Sequence, residues 1–158
     1  MRNLSIKLTD VELGYLAGMI DGEGCINYYK SKSKSSKIGY TFVARLFITN
    51  TNLECLLYLQ RLFGFGALRE RTKQARRKKS WNLDFAPRET RVILEAVQPY
   101  LIIKKQQAQL MIEFLKSCVW GRKRGFVLSQ SVIDCRHKLF NTMKDLNHRG
   151  EVLKISEH

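Results

Sequence analysis

Two carboxylates, Asp21 and Glu23, close the stretch LGYLAGMIDGEGCINYY at Leu13–Tyr29, where glycines also stand at 14, 18, 22 and 24. Gly14, Ala17, Gly18 and Asp21 fall at i, i+3, i+4 and i+7, with Leu13 beside them, so on a helix they form a stripe of small side chains. Small residues let two backbones approach closely. If two copies of the chain pack along this stripe, both helix ends meet near a two-fold axis and bring two Glu23 carboxylates together. Helix-end carbonyls, freed of intrahelical partners, collect at the same place. Like charges so close need compensation, and a hard divalent cation such as Mg²⁺, which takes oxygen ligands and keeps waters, supplies it. Asp21 has a plainer reading as a helix-end hydrogen-bonding group, and that reading is preferred.

The elements that must position these acids follow from pattern. Thr9 and Glu12 have capping-box spacing, and Leu13, Leu16, Ala17 and Ile20 continue at helical intervals, predicting a helix from Asp10 to Asp21 or Gly22. CINYYK and YTFVARLFITN then read as the strands of a hairpin across the Ser/Lys-rich turn at 31–37. In the second strand Tyr40, Phe42, Ala44, Leu46 and Ile48 share one face, and Thr41, Val43, Arg45, Phe47 and Thr49 the other. A helix over Asn52–Phe63, a second strand pair in ALRERT and SWNLDFA, and a helix opened by Pro87 and continued to Val97 follow. Further helices are predicted over Lys104–Trp120 and Val127–Leu146, with a frayed tail from Asn147. The order α-β-β-α-β-β-α with added C-terminal helices gives an α+β chain with a mostly antiparallel sheet, and 158 residues suit one domain over 1–158.

Composition narrows the partner. Twenty-eight Lys and Arg against 14 Asp and Glu give a net charge of +14, which points to a polyanion, nucleic acid before membrane. No long apolar span or signal-peptide h-region stands in the sequence. Cys25, Cys55, Cys118 and Cys135 are widely spaced without a CxxC pair, which disfavours a zinc module and suits reduced thiols in an intracellular protein. Neither a P-loop nor GxGxxG is present, and His137, Asn141 and His148 lack a ββα frame for HNH chemistry.

Strand parity selects the side chains able to reach base edges from a sheet lying in the major groove. These are Asn27, Tyr29 and Ser31; Thr41, Val43, Arg45 and Phe47; Arg69, Arg71 and Lys73; and Ser80, Asn82 and Asp84. Arg45, Arg69 and Arg71 are candidates for guanine, although phosphate contact or solvation is the competing role for at least one of them. The basic runs Lys73, Arg76, Arg77, Lys78, Lys79 and Arg122, Lys123, Arg124 are assigned to phosphates, with a solvated charge run as the plainer alternative.

LAGMIDGEG at Leu16–Gly24 resembles the signature of the LAGLIDADG homing endonucleases, matching in type at Leu16, Ala17, Gly18, Ile20, Asp21, Glu23 and Gly24. The resemblance in element order covers about residues 8–120, and one motif in a short chain resembles the homodimeric branch. It implies that Asp21 is structural and that Glu23 binds the metal, with Gly22 offering its carbonyl. Glu replaces the Asp of the motif's name, which changes side-chain reach. FITNTN ends the second strand where homodimeric members place an amide that orients water; Asn50 is the match, and a strand-end turn is its plainer reading. QPYLIIKKQQA resembles a family stretch that brings a lysine to the scissile phosphate, which makes Lys104 the candidate and Lys105 the fallback. The resemblance thus implies an intron- or intein-homing DNA endonuclease, a homodimer dependent on Mg²⁺ (Mn²⁺ substituting), acting on a long pseudo-palindromic duplex and not on a small molecule. A non-cleaving RNA maturase or DNA-binding regulator on the same fold is the alternative.

Overall fold

The structure is a computed structural model, and it describes residues 6–34, 36–71, 78–118 and 128–147. Helix α1 (Asp10–Glu23) starts at the predicted capping box: the Glu12 N–H donates to Thr9 Oγ1 at 3.3 Å, and the Thr9 N–H donates to Glu12 Oε2 at 2.8 Å. Strands β1 (Gly24–Lys32) and β2 (Tyr40–Asn50) form a long antiparallel hairpin, in register from Gly24 opposite Ile48 to Lys32 opposite Tyr40. Helix α2 (Leu53–Phe63) is capped at its start by Asn52 Oδ1, which accepts from the Cys55 N–H. It ends on Gly64, whose φ of 69° is the left-handed conformation that glycine adopts without strain. Strands β3 (Ala67–Glu70) and β4 (Trp81–Phe85) complete a four-stranded antiparallel sheet of order β1-β2-β4-β3.

Helix α3 (Pro87–Val97) opens on Pro87, where a missing N–H costs nothing. A 3₁₀ turn at Gln98–Tyr100 leads into α4 (Lys105–Lys116), and α5 (Gln130–Asn147) follows. Several boundaries differ from expectation, α5 among them, which starts at Gln130. Helix α1 runs on to Glu23, and α4 begins after Lys104 and ends at Lys116, where the Ser117 hydroxyl turns back onto the Phe114 carbonyl at 2.7 Å. Trp120, Val127 and the tail beyond Asn147 lie outside the described residues.

The helices cover one face of the sheet. Ile26, Phe42, Ala44, Leu46, Ile48, Leu83 and Phe85 point into a core shared with Leu16, Ala17 and Ile20 of α1 and with Leu56, Leu59, Ile93, Leu94, Met111 and Leu115. Each fully buried leucine or isoleucine contributes about 2 kcal/mol by leaving water. The opposite face of the sheet carries no helix among the described elements, so alternation along β2 exposes the side chains assigned to a polyanion.

Candidate functional site

The two acids in the last turn of α1 point to different tasks. Asp21 Oδ2 accepts from the backbone N–H groups of Ile102 at 2.8 Å and Ile103 at 3.1 Å, and Oδ1 accepts from the Lys104 N–H at 2.9 Å. Burial alone would raise its carboxyl, but these three donors and the Lys104 charge outweigh burial and hold it below its ordinary value. Asp21 therefore ties α1 to the segment that opens α4, the structural role preferred from sequence.

Lys104 completes the tie. Its Nζ donates to the Ile20 carbonyl at 3.0 Å and to the Asp21 carbonyl, both in the last turn of α1, so the cation also meets the negative end of the helix dipole. Lys105, the fallback, is an exposed residue in the first turn of α4. Glu23 is exposed at the tip of α1, and among the described residues its carboxylate has neither a hydrogen bond nor an ion pair. Gly24 then turns the chain straight into β1, donating its N–H to the Ile20 carbonyl. Only glycine fits there, because a Cβ would lie 2.6 Å from Ile20 O and 2.8 Å from Ile20 Cα.

Asn50 ends β2, two residues beyond the position that pairs with Gly24, and so lies at the same end of the sheet as Glu23. Its Oδ1 accepts from the Asn52 N–H at 2.8 Å, the strand-end turn that was its plainer reading, and Nδ2 remains for solvent. Hard oxygen donors are thus present: the Glu23 carboxylate and the carbonyls of the helix end, Gly22 among them. The described residues contain no group of three or more His, Cys, Asp or Glu able to hold a metal alone. One chain contributes one carboxylate to such a site.

The outward side of α1 departs from the expected stripe. Ala17 is 1% exposed and packs into the chain's own core, and Asp21 is engaged with 102–104, so neither lines a free surface. Leu13 is half-buried and packs against the core. The bare ridge is instead Gly14, Gly18 and Gly22, spaced by four residues, where a Cβ would meet nothing within 4 Å. Val11 (82% exposed) and Tyr15 (45% exposed) flank it. Because α1 is apolar on both sides, spacing alone could not say which side faces inward.

A family model, LAGLIDADG endonuclease, matches residues 16–116. The chain belongs to the LAGLIDADG endonuclease family. No curated protein sequence matches it. Its fold is shared with the homing endonuclease I-CvuI, solved in complex with the I-CreI target, at 22% identity and a TM-score of 0.69 over 89% of this chain and 85% of that one. The archaeal intron-encoded homing endonuclease I-Vdi141I, complexed with DNA, aligns at 21% identity and a TM-score of 0.73 over 89% and 87%. I-SmaMI, bound to an uncleaved DNA target with calcium ions, aligns at 23% identity and a TM-score of 0.67, over 88% of this chain but only 46% of its own.

In this LAGLIDADG endonuclease the sheet face opposite the helices gathers the side chains chosen by parity. Asn27 stands opposite Arg45, Tyr29 opposite Val43 and Ser31 opposite Thr41; Phe47 stands opposite Asp84, and Arg69 opposite Asn82. Arg71 and Ser80 extend the last pair through a backbone hydrogen bond of 2.9 Å. Thr49, not among the residues chosen from sequence for base contact, donates its hydroxyl to Asn82 Oδ1 at 2.7 Å and belongs to the same row. Lys79 bonds Glu70 at 2.9 Å and lies over Trp81, while Lys78 is exposed. Lys73, Arg76, Arg77, Arg122, Lys123 and Arg124 lie outside the described residues.

His137 serves packing, in keeping with the rejection of HNH chemistry. Its ring sits between Lys30 Nζ, 3.1 Å from Nδ1, and the Tyr40 hydroxyl at Nε2, which docks α5 onto the β1–β2 hairpin. No disulfide joins any of the four cysteines, and burial pushes the Cys25 thiol up, so it stays protonated at neutral pH.

Proposed function

We propose that this LAGLIDADG endonuclease acts as a homodimer that hydrolyses both strands of a long, pseudo-palindromic duplex site of the intron- or intein-homing type. The observation that carries this reading is the position of Glu23: an exposed carboxylate at the tip of α1, where the bare Gly14–Gly18–Gly22 ridge ends and the open sheet face begins. A helix apolar on both sides calls for a partner on its outer side, and a second copy of the same ridge supplies one with two-fold symmetry. The I-SmaMI alignment supports it, since this chain spans about half of that one. Tyr58, Tyr100, Ile102 and Ile103, all exposed, extend the apolar surface around α1: Tyr58 stacks edge-on against Tyr15, and Tyr100 hydrogen bonds to Asp10.

The donor set fits a divalent cation, Mg²⁺ with Mn²⁺ able to substitute, which the Glu23 carboxylates and the helix-end carbonyls would hold. When bound, such a cation supplies Lewis-acid stabilisation of the attacked phosphate and the leaving oxygen. The chain's own residues do the rest. Glu23 holds the oxygen-ligand site and keeps phosphates at their distance unless a cation intervenes. Lys104, anchored on the carbonyls of Ile20 and Asp21, sets a fixed positive charge beside the scissile phosphate. Asn50 orients solvent through Nδ2 while Asn52 holds its oxygen. No described helix is long and apolar enough to cross a membrane, and reduced cysteines suit an intracellular compartment.

The test is to incubate the purified protein with a randomised duplex library and Mg²⁺, then sequence the cut ends. Cutting at one motif with two related half-sites is the expected result. Binding without cutting favours the maturase or regulator reading and overturns this one.

A further inference from the structure

Arg45 and Asp84 come from the two inner strands of the sheet and meet on its open face. Arg45 Nε and Nη2 both donate to Asp84 Oδ1, at 2.9 and 2.6 Å, and the guanidinium lies 4.7 Å above the Phe47 ring. The Arg45 side chain remains 42% exposed and that of Asp84 only 15%. The pair lies on the wall of an open groove of about 670 Å³ that Phe65 and Arg69 also line.

A carboxylate on a surface built for a polyanion repels phosphates unless it serves another group. Here it serves Arg45. Two N–H donors are spent on Asp84 and three of the five remain, enough for a two-pronged contact. Where the pair sits decides what those donors meet. The major groove is about 12 Å wide and strands lie about 4.8 Å apart, so inner strands face the groove floor and outer strands face the flanking backbones. On the floor a two-pronged arginine matches guanine O6 and N7, whereas adenine presents an amino group where O6 would be. A guanidinium braced by a carboxylate and a ring has lost the rotamer freedom that would let it swing to a phosphate. Arg69, exposed on the outer strand β3 and without a carboxylate partner among the described residues, keeps that freedom.

We propose that Asp84 is a positioning residue that fixes Arg45 as the reader of one guanine in each half-site, without itself touching DNA. The proposal rests on the DNA-endonuclease reading above, and its test separates the two. Wild type, Asp84→Asn, Arg45→Ala and Arg45→Lys would each be allowed to select from a random duplex library with Ca²⁺ in place of Mg²⁺, and the bound DNA sequenced. Wild type should show guanine at one position per half-site, and both Arg45 variants should lose it. Asp84→Asn should lower guanine preference at that position roughly 10- to 100-fold, leave other positions alone and tighten binding to unrelated duplex. Arg45→Lys keeps the charge and guards against a loss caused by misfolding. Retained guanine preference in Asp84→Asn overturns the proposal. So does a change at a position that Arg45→Ala leaves untouched, which would make Asp84 a base reader. A wild type that enriches no motif at all overturns the endonuclease reading first.

Discussion

Replacing Asp21 with asparagine separates a structural acid from a catalytic one. Asp21 takes two backbone N–H groups on Oδ2 and one on Oδ1. Asparagine can keep its oxygen at the doubly bonded position, but its amide nitrogen then faces the Lys104 N–H, donor against donor. Three charge-assisted bonds, about 2 kcal/mol each, become two neutral ones of about 1 kcal/mol. At a half-exposed position water recovers about half of that loss, leaving a destabilisation of about 2 kcal/mol. For a chain of this size that is a fall in Tm of about 4–8 °C, read by calorimetry at fixed protein concentration because dimerisation also contributes. The pH dependence has a definite sign. A carboxyl held below its ordinary value of 3.8 stabilises the fold above that pH and loses the contribution as pH falls toward the folded-state value. The gap between wild type and Asp21→Asn should therefore narrow below about pH 4. Cutting should weaken along with stability, since Lys104 loses its seat. A variant within about 0.5 kcal/mol of wild type at pH 7, or a gap constant through the acid range, refutes the reasoning. Lost cutting with unchanged stability would instead make Asp21 a metal ligand.

Gly18→Leu should leave the chain's fold intact, since nothing lies within 4 Å of a Cβ there, yet shift sedimentation from dimer to monomer and abolish cutting. Gly24→Ala should cost about 2–3 kcal/mol in denaturant unfolding, because its Cβ collides with the backbone of Ile20 and not with a movable side chain. Arg69→Ala should weaken binding equally across sequences and reduce the slope of log K against log salt by about 1.

Much of this was legible in the sequence because it is local. The alternation of β2 fixed which residues face the core, and Thr9 with Glu12, Asn52 with Gly64, and Pro87 marked element ends through hydrogen bonds spanning a few residues. Parity along single strands also finds the open face, Thr49 included, although it does not single out Thr49 for base contact. What the sequence withheld is non-local. The Asp21 contacts reach more than 80 residues down the chain, and Arg45 meets Asp84 only because β2 and β4 pair in one register. Ala17 escapes the pattern for a different reason: with apolar residues on both sides of α1, helical spacing has no preferred direction, and only the packing of the core turns Ala17 inward. The run of exposed apolar residues at Ile102–Ile103 carries no periodic signal at all.

In the proposed function Glu23 serves chemistry and not folding. Its carboxylate makes no hydrogen bond or ion pair among the described residues, so Glu23→Gln should melt like wild type. The decisive measurement compares wild type and Glu23→Gln on one cognate duplex, following cleavage with Mg²⁺ and binding with Ca²⁺. Cutting should disappear while binding is retained or tightens, because one negative charge leaves the surface facing the phosphates. A Glu23→Gln protein that cuts as fast as the parent would contradict the proposed function.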